Sequence, residues 1–187
     1  MSTASLIEYL RSVQQLKPDI ASYLAGQVYP LQFKKGQIMA SPGKLANEIW
    51  YIESGLAREY SYDASGNMQI NAFWKEQELM FIAESFFLKK QSDKYIELLE
   101  DSNLLGFGSV QARQLHLLYP EIHHCGYAML CSSKSKSDTK CALFYLNARE
   151  RYRRFCESFP WTRISVTDTA SYLGLTRETV SKMRSGR

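Results

Sequence analysis

Apolar and polar positions follow two different patterns along this chain, one helical and one β-like. From residue 3 to residue 25 apolar residues recur at the three- and four-residue steps of a helix, and Pro18 interrupts that stripe. From Val28 to about residue 108 short β-like runs are separated by turn residues, including an Asp-Ala-Ser-Gly hairpin signal at 63–66. Many short strands at such spacing predict a sandwich or a barrel.

Helical periodicity returns at Val110, and a long helix is predicted after Pro120. No residue breaks it until about Leu146, which corresponds to about 40 Å at ~1.5 Å per residue. A helix of that length extends beyond one small domain, so we expect it to pair with a second copy. Its polar centre leaves a linker as an alternative. The candidate seam consists of Ile122, Gly126, Met129, Ser133, Lys136, Lys140 and Leu143.

The last 25 residues predict two short helices around a tight turn. Ser165 with Asp168 resembles a capping box, Gly174 supplies a helix stop, and Thr176 can cap a second helix. Asn147 with Glu150 caps an earlier helix, so we place a domain boundary there. The arrangement is typical of a helix–turn–helix, with an ordinary surface helix pair as the alternative. The outer face of the second helix carries Glu178, Ser181, Lys182 and Ser185, with Arg177 beside them.

The net charge of +4 is unevenly distributed. From Asn147 onward nine basic residues stand against four acidic ones, whereas the first 146 residues carry a net charge of −1. Such a basic region is expected where a protein neutralises phosphates. No apolar run approaches the ~20 residues of a membrane helix, and the N-terminus lacks the pattern of a signal peptide. We therefore expect a cytoplasmic protein without a membrane partner.

Four segments resemble the cyclic-AMP receptor and fumarate–nitrate regulator (Crp/Fnr) family of bacterial transcription factors. The segments are F-K-K-G-Q-I-M-A-S-P-G at 33–43, I-W-Y-I-E-S-G at 49–55, F-I-A-E at 81–84 and L-G-L-T-R-E-T-V-S-K-M at 173–183. The first two look like the paired glycine turns of the family's barrel, at Gly36, Gly43 and Gly55. The resemblance implies an α+β fold with a cupin-like double-stranded β-helix barrel that resembles cyclic-nucleotide-binding domains. It assigns 1–120 to the sensor barrel with flanking helices, 121–146 to a dimerisation helix, and 147–187 to the helix–turn–helix.

The resemblance implies a homodimeric regulator that reads a near-palindromic DNA operator with helix 176–185 in the major groove. Arg177 could donate to guanine O6 and N7, Glu178 could accept from cytosine N4, and Lys182 could donate to guanine. Relatives usually continue into a β-hairpin wing, whereas this sequence ends at Arg187, so we expect most of the wing to be lacking. The alternative is a ligand-binding sensor module without specific DNA binding. The expected phosphate contacts are Arg163, Thr176, Ser181 and Arg184.

The effector pocket implied by the resemblance departs from the cyclic-nucleotide pattern. Ala83 replaces a glycine, Glu84 is retained, and Lys94-Tyr95 takes the place of an Arg-Ser or Arg-Thr pair that holds the cyclic phosphate. Without the arginine guanidinium, binding of the cyclic phosphate loses its bidentate charge-assisted hydrogen bonds and is weaker. We therefore expect that cyclic AMP is not the effector. An unidentified small molecule and RNA polymerase are further candidate partners.

No cofactor, metal or enzymatic activity is expected. The four cysteines lack Cys-x-x-Cys spacing, and the first lies at position 125, far from the N-terminal cluster of iron–sulfur oxygen sensors. A metal-dependent cupin enzyme would ligate metal with barrel histidines. All three histidines, His116, His123 and His124, follow the predicted barrel.

Overall fold

A computed structural model describes residues 3–13 and 16–186. The helices and strands follow in the order α1 (Ala4–Val13), α2 (Pro18–Gln27), β1 (Tyr29–Phe33), β2 (Ile38–Ala40), β3 (Glu48–Ser54), β4 (Ala57–Tyr62), β5 (Met68–Trp74), β6 (Leu79–Met80), α3 (Ala83–Leu88), β7 (Tyr95–Leu98), β8 (Ser102–Gly108), α4 (Ser109–Leu118), α5 (His123–Leu143), α6 (Ala148–Ser158), α7 (Val166–Leu173) and α8 (Arg177–Arg184). Short 3₁₀ turns at Pro120–Ile122 and Trp161–Arg163 precede α5 and α7.

The middle of the chain is the predicted barrel. Within the described residues it consists of two four-stranded antiparallel sheets, in the orders β1-β8-β3-β6 and β2-β7-β4-β5. Strand alternation directs Trp50 and Ile52 into the barrel interior, whereas Tyr51 belongs to the cluster outside it. The α+β fold class and the cyclic-nucleotide-binding-like barrel are therefore confirmed.

The three predicted turn glycines, Gly36, Gly43 and Gly55, all have positive φ, at 82°, 77° and 127°. At Gly55 an added Cβ would lie only 2.1 Å from the hydroxyl oxygen of Ser102. Both the backbone conformation and the close approach of β8 therefore require glycine at position 55.

Helices α1, α2 and α4 cover the outer face of the first sheet. Leu6 and Leu10 from α1, Leu24 from α2 and Leu115 from α4 are buried in one cluster with Tyr51. Pro18 occupies the first position of α2, where a missing N–H costs nothing, so it opens a second helix. None of the described helices is both long and apolar enough to cross a membrane.

Helix α5 corrects one prediction from the sequence. The stripe expected to pair with a second copy instead faces the barrel of the same chain. Met129 packs beside Phe81 and Phe86, the Lys136 amine lies 2.8 Å from a Glu78 carboxylate oxygen, and Leu143 is buried beside the C-terminal helices. The seam prediction is wrong because a periodic stripe shows that a helix face is covered without showing what covers it.

The C-terminal helices begin and end where the local signals predict. The Asn147, Ser165 and Thr176 side chains accept hydrogen bonds from backbone N–H groups three residues on, at 3.0, 3.0 and 3.2 Å. Gly174 ends α7 in the left-handed conformation, with φ of 61°. The boundary predicted at residue 147 thus falls on a helix cap, and the division into three segments stays a prediction.

The barrel and the C-terminal helices share one apolar cluster. The ring of Phe73 on β5 lies 6.1, 5.5 and 5.3 Å from the rings of Phe155, Phe159 and Tyr172. Helix α7 also closes the edge of β5, because the Ser171 hydroxyl accepts from the Ile70 N–H and donates to the Met68 carbonyl. The two parts of the chain are therefore joined by both packing and hydrogen bonds.

We predict that Phe73→Ala destabilises the barrel and the C-terminal helices together. Phe73 is 1% exposed, and truncating a buried phenylalanine costs about 3–5 kcal/mol of unfolding free energy. Urea unfolding, followed by circular dichroism and tryptophan fluorescence, should show one transition shifted to lower urea. Phe87→Ala, at a ring that is 36% exposed, is the control and should cost much less. Two separate transitions, with only one shifted, would contradict the shared core.

Candidate nucleic-acid interface and adjoining cleft

Helix α8 is held to the molecule by one face and open to solvent on the other. Val180 is fully buried and Met183 is half-buried, so the inward stripe predicted from the sequence is present. The opposite face is exposed and carries Arg177, Glu178, Ser181 and Lys182. Thr176, the N-cap, is also exposed. The structure therefore brings the predicted base-reading side chains onto one accessible surface.

The charges on this surface suit hydrogen bonding to base edges. The pKa of the Glu178 carboxyl lies below its ordinary value, first because its own backbone N–H donates to it and then because the Thr176 hydroxyl does. Glu178 therefore presents an ionised acceptor, flanked by the donors Arg177 and Lys182. Such a set of donors and an acceptor matches the edges of G·C pairs.

Two of the four residues predicted to contact phosphate are engaged inside the chain. The Arg184 guanidinium donates to the carbonyls of Ile164 and Trp161 at 3.1 Å and lies 5.4 Å above the Trp161 ring. The Arg163 guanidinium pairs with Glu76, at 2.7 Å, and with Glu100. In this arrangement neither arginine is free for phosphate, which leaves Thr176 and Ser181 as the accessible members of that set.

Ion pairs connect the barrel to the helix–turn–helix, and they were not predicted from the sequence. Arg58 on β4 pairs with Asp168 on α7 and, at 2.9 Å, with Glu97 on β7. The Arg58 and Asp168 side chains are only 15% and 8% exposed. The Asp168 carboxylate therefore pairs with Arg58 of the barrel. It does not accept from the backbone N–H of Ser165, as the predicted capping box would require. No local signal could have revealed a contact between residues 110 positions apart.

A cleft lies between the barrel and α5, next to these helices. It is lined by Ala83, Glu84 and Lys94, three of the four residues that the resemblance assigned to an effector pocket, and by Lys136 and Lys140 from α5. Tyr95 does not line it. Its ring stacks on Tyr60 instead, with centroids 4.9 Å apart and an interplanar angle of 6°.

Two charged groups that line the cleft, Glu59 and Lys140, are poorly solvated. The pKa of Glu59 is raised, mainly by burial, and the Lys94 amine 3.3 Å away only partly offsets that effect. Burial likewise lowers the pKa of Lys140, which also donates to the Ile70 carbonyl at 2.6 Å. The described residues hold no group of three or more His, Cys, Asp or Glu side chains arranged for a metal ion.

The fold and the exposed face of α8 define a class of protein. In this class a long helix joins a cyclic-nucleotide-binding-like barrel to a helix–turn–helix. No family model matches the chain. It is 26% identical over 162 residues to the transcriptional activator protein Anr of Pseudomonas protegens, a match that covers 80% of this chain and 66% of Anr. It is 28% identical over 164 residues to the regulatory protein HlyX of Actinobacillus pleuropneumoniae, covering 80% of this chain and 68% of HlyX. The chain thus spans about two thirds of the length of these relatives.

Two solved structures share the fold of this chain. FixK2 from Bradyrhizobium japonicum superposes with a TM-score of 0.75 at 18% identity, covering 85% of this chain and 83% of FixK2. The Thermus thermophilus catabolite activator protein superposes with a TM-score of 0.60 at 20% identity, covering 95% and 85%. The chain is thus similar in sequence to these regulators and shares the fold of FixK2 and of the catabolite activator protein.

We predict that the stability difference between Glu59→Gln and the unchanged protein depends on pH. Because burial raises the folded-state pKa of Glu59, ionising it costs unfolding free energy as pH rises above the ordinary value of 4.5. The glutamine variant should therefore gain stability relative to the unchanged protein between pH 4.5 and neutral pH, as measured by urea unfolding at several pH values. Glu84→Gln, at an exposed carboxylate of the same cleft, is the control. A difference that is constant with pH, or that changes in the opposite direction, would contradict this prediction.

Proposed function

We propose that this chain is a homodimeric, DNA-binding transcription regulator that inserts α8 into the major groove of a near-palindromic operator. The observation that carries the proposal is the exposed trio Arg177, Glu178 and Lys182 on a helix whose other face is buried. Of the relatives named above, Anr is a transcriptional activator and HlyX a regulatory protein, and the proposal includes no enzymatic role. Its DNA partner implies a cytoplasmic location.

Each residue of the trio has a role that its chemistry supports. The Arg177 fork donates two hydrogen bonds to guanine O6 and N7, and the Glu178 carboxylate accepts from cytosine N4. Lys182 donates to guanine as a point charge, which constrains geometry less than a fork does. Thr176 and Ser181 contact phosphates and position the helix without reading sequence.

The second copy is proposed to pack on the face of α5 that points away from the barrel. Exposed residues recur there at alternating steps of three and four, the spacing of a coiled-coil seam. This outward face consists of His124, Tyr127, Cys131, Lys134, Asp138 and Cys141. Parallel pairing about a two-fold axis would place the two α8 helices for successive major grooves about 34 Å apart.

The cleft between the barrel and α5 is the proposed effector site. A ligand there would contact Glu84 or Lys94 on the barrel side and Lys136 or Lys140 on the helix side. Differential contacts in two dimer arrangements would shift their populations and thereby the spacing of the α8 helices. RNA polymerase is a further proposed partner once the operator is occupied.

Specific DNA binding should depend on Arg177 and Lys182. Sequences selected from random DNA by the full chain should form a near-palindrome. On that operator the double variant Arg177→Ala/Lys182→Ala should bind on the order of 10²-fold more weakly in a gel-shift titration, since each good base contact contributes ~1–3 kcal/mol. The matched control is Lys35→Ala/Lys44→Ala, which removes the same charge from exposed barrel positions and should retain binding.

The alternative of a sensor module without specific DNA binding makes a different prediction. In that case the selection would recover no common sequence, and both double variants would show the same weak, salt-dependent binding. Either result would overturn the proposed function.

The native cysteines test the dimer. Seam positions of a parallel two-stranded pair lie opposite their own copies, and a disulfide needs Cα atoms about 4.4–6.8 Å apart. Mild oxidation with copper–phenanthroline should therefore produce a covalent dimer through Cys131 and Cys141 that a reductant reverses. Cys131→Ser/Cys141→Ser should abolish it, although Cys125 and Cys156 are still present as an internal control. Crosslinking that persists in that variant would contradict the proposed seam.

A further inference from the structure

A second space, separate from the cleft, lies between the outer face of the first sheet and helices α1, α2, α4 and α5. It is a cavity of about 510 Å³. Its wall is mostly apolar and includes Leu10, Leu24, Tyr51, Leu105, Leu115 and Met129. Tyr51 and Leu105 belong to the cluster outside the barrel, whereas their neighbours Trp50 and Leu104 belong to the interior. The cavity is therefore on the opposite side of the sheet from the barrel interior.

The two charged side chains that line this cavity, Lys89 and Arg113, are both basic. Lys89, Arg113, His116 and His123 line it and are exposed, and none of its lining residues is acidic. Within the described part of the chain Arg113 takes part in no ion pair. The nearby Glu121 carboxylate is paired with Lys17 at 2.7 Å. The mouth is thus cationic and the interior is apolar.

We propose that this cavity binds a straight-chain alkyl carboxylate, with the alkyl chain inside and the carboxylate at Arg113. The volume lies within the range of about 300–1,000 Å³ typical of small-molecule sites. Each methylene buried against an apolar wall makes the binding free energy more favourable. A guanidinium group can donate two charge-assisted hydrogen bonds to one carboxylate. An apolar interior with a cationic mouth favours an amphipathic anion. A nucleotide is disfavoured because its polar base and sugar would lack hydrogen-bond partners in the interior.

Calorimetric titration of the full chain with sodium octanoate, decanoate and dodecanoate, each below its micelle concentration, tests the proposal. The dissociation constant should fall about fourfold per added methylene, which corresponds to ~0.8 kcal/mol per CH₂ group. Decanol should bind about tenfold more weakly than decanoate, because it lacks the charge-assisted contact.

Two variants locate the site. Ala112→Phe, at a half-buried lining position on α4, should fill the cavity and abolish decanoate binding. Arg113→Gln, at an exposed position where unfolding is not expected, should remove the preference for decanoate over decanol and leave the affinity for decanol unchanged. Arg11→Gln, an equal charge change on α1 outside the cavity lining, should behave like the unchanged protein.

The proposal is overturned by an affinity that does not depend on chain length, by equal affinity for decanol and decanoate, or by full binding in both variants. A further overturning result is that Ala112→Phe dissociates the dimer in sedimentation while decanoate still binds, because the cavity would then belong to the contact between copies. These measurements use no DNA, so their failure is distinct from failure of the proposed regulatory function.

Discussion

The packing of α5 against its own barrel is the constraint on which the rest of the structure depends. A surface helix typically buries an apolar stripe at least about 100° wide, and on α5 the residues Met129, Lys136 and Leu143 of that stripe face the same chain. Only the opposite face is left for a second copy. The end of α5 also fixes where Asn147 caps α6, and therefore where the helix–turn–helix begins.

The helix–turn–helix is seated on the barrel by an apolar core with polar contacts at its margins. The rings around Phe73 form the apolar core, and the ion pairs of Arg58 with Asp168 and of Arg163 with Glu76 lie beside it. A poorly solvated ion pair contributes little net stability. Breaking it leaves an uncompensated charge, so such pairs disfavour other arrangements of the helix–turn–helix on the barrel. The orientation of α8 relative to the barrel is thus specified within one chain.

Two spaces of opposite character border α5. The cleft on one side places Glu59 and Lys140 where water solvates them poorly, so a polar ligand that replaces the missing solvation would be favoured. The cavity on the other side has an apolar wall and a cationic mouth. Because the same helix borders both spaces and leads into α6, ligands of different chemistry could act on one structural element.

The sequence by itself determined the local features: the β-rich span, the caps at Asn147, Ser165 and Thr176, the stop at Gly174 and the exposed residues of α8. The β-rich span follows from short runs between turn residues, and the helix caps and faces follow from contacts three or four residues apart. Both kinds of signal are local and can therefore be read from the sequence. Only the tertiary structure decided what covers the α5 stripe, that Arg163 and Arg184 are engaged internally, and that Tyr95 stacks on Tyr60 instead of lining the cleft. Those outcomes depend on which distant segments meet, as Arg58 and Asp168 do across 110 positions, and no local pattern encodes the identity of the partner.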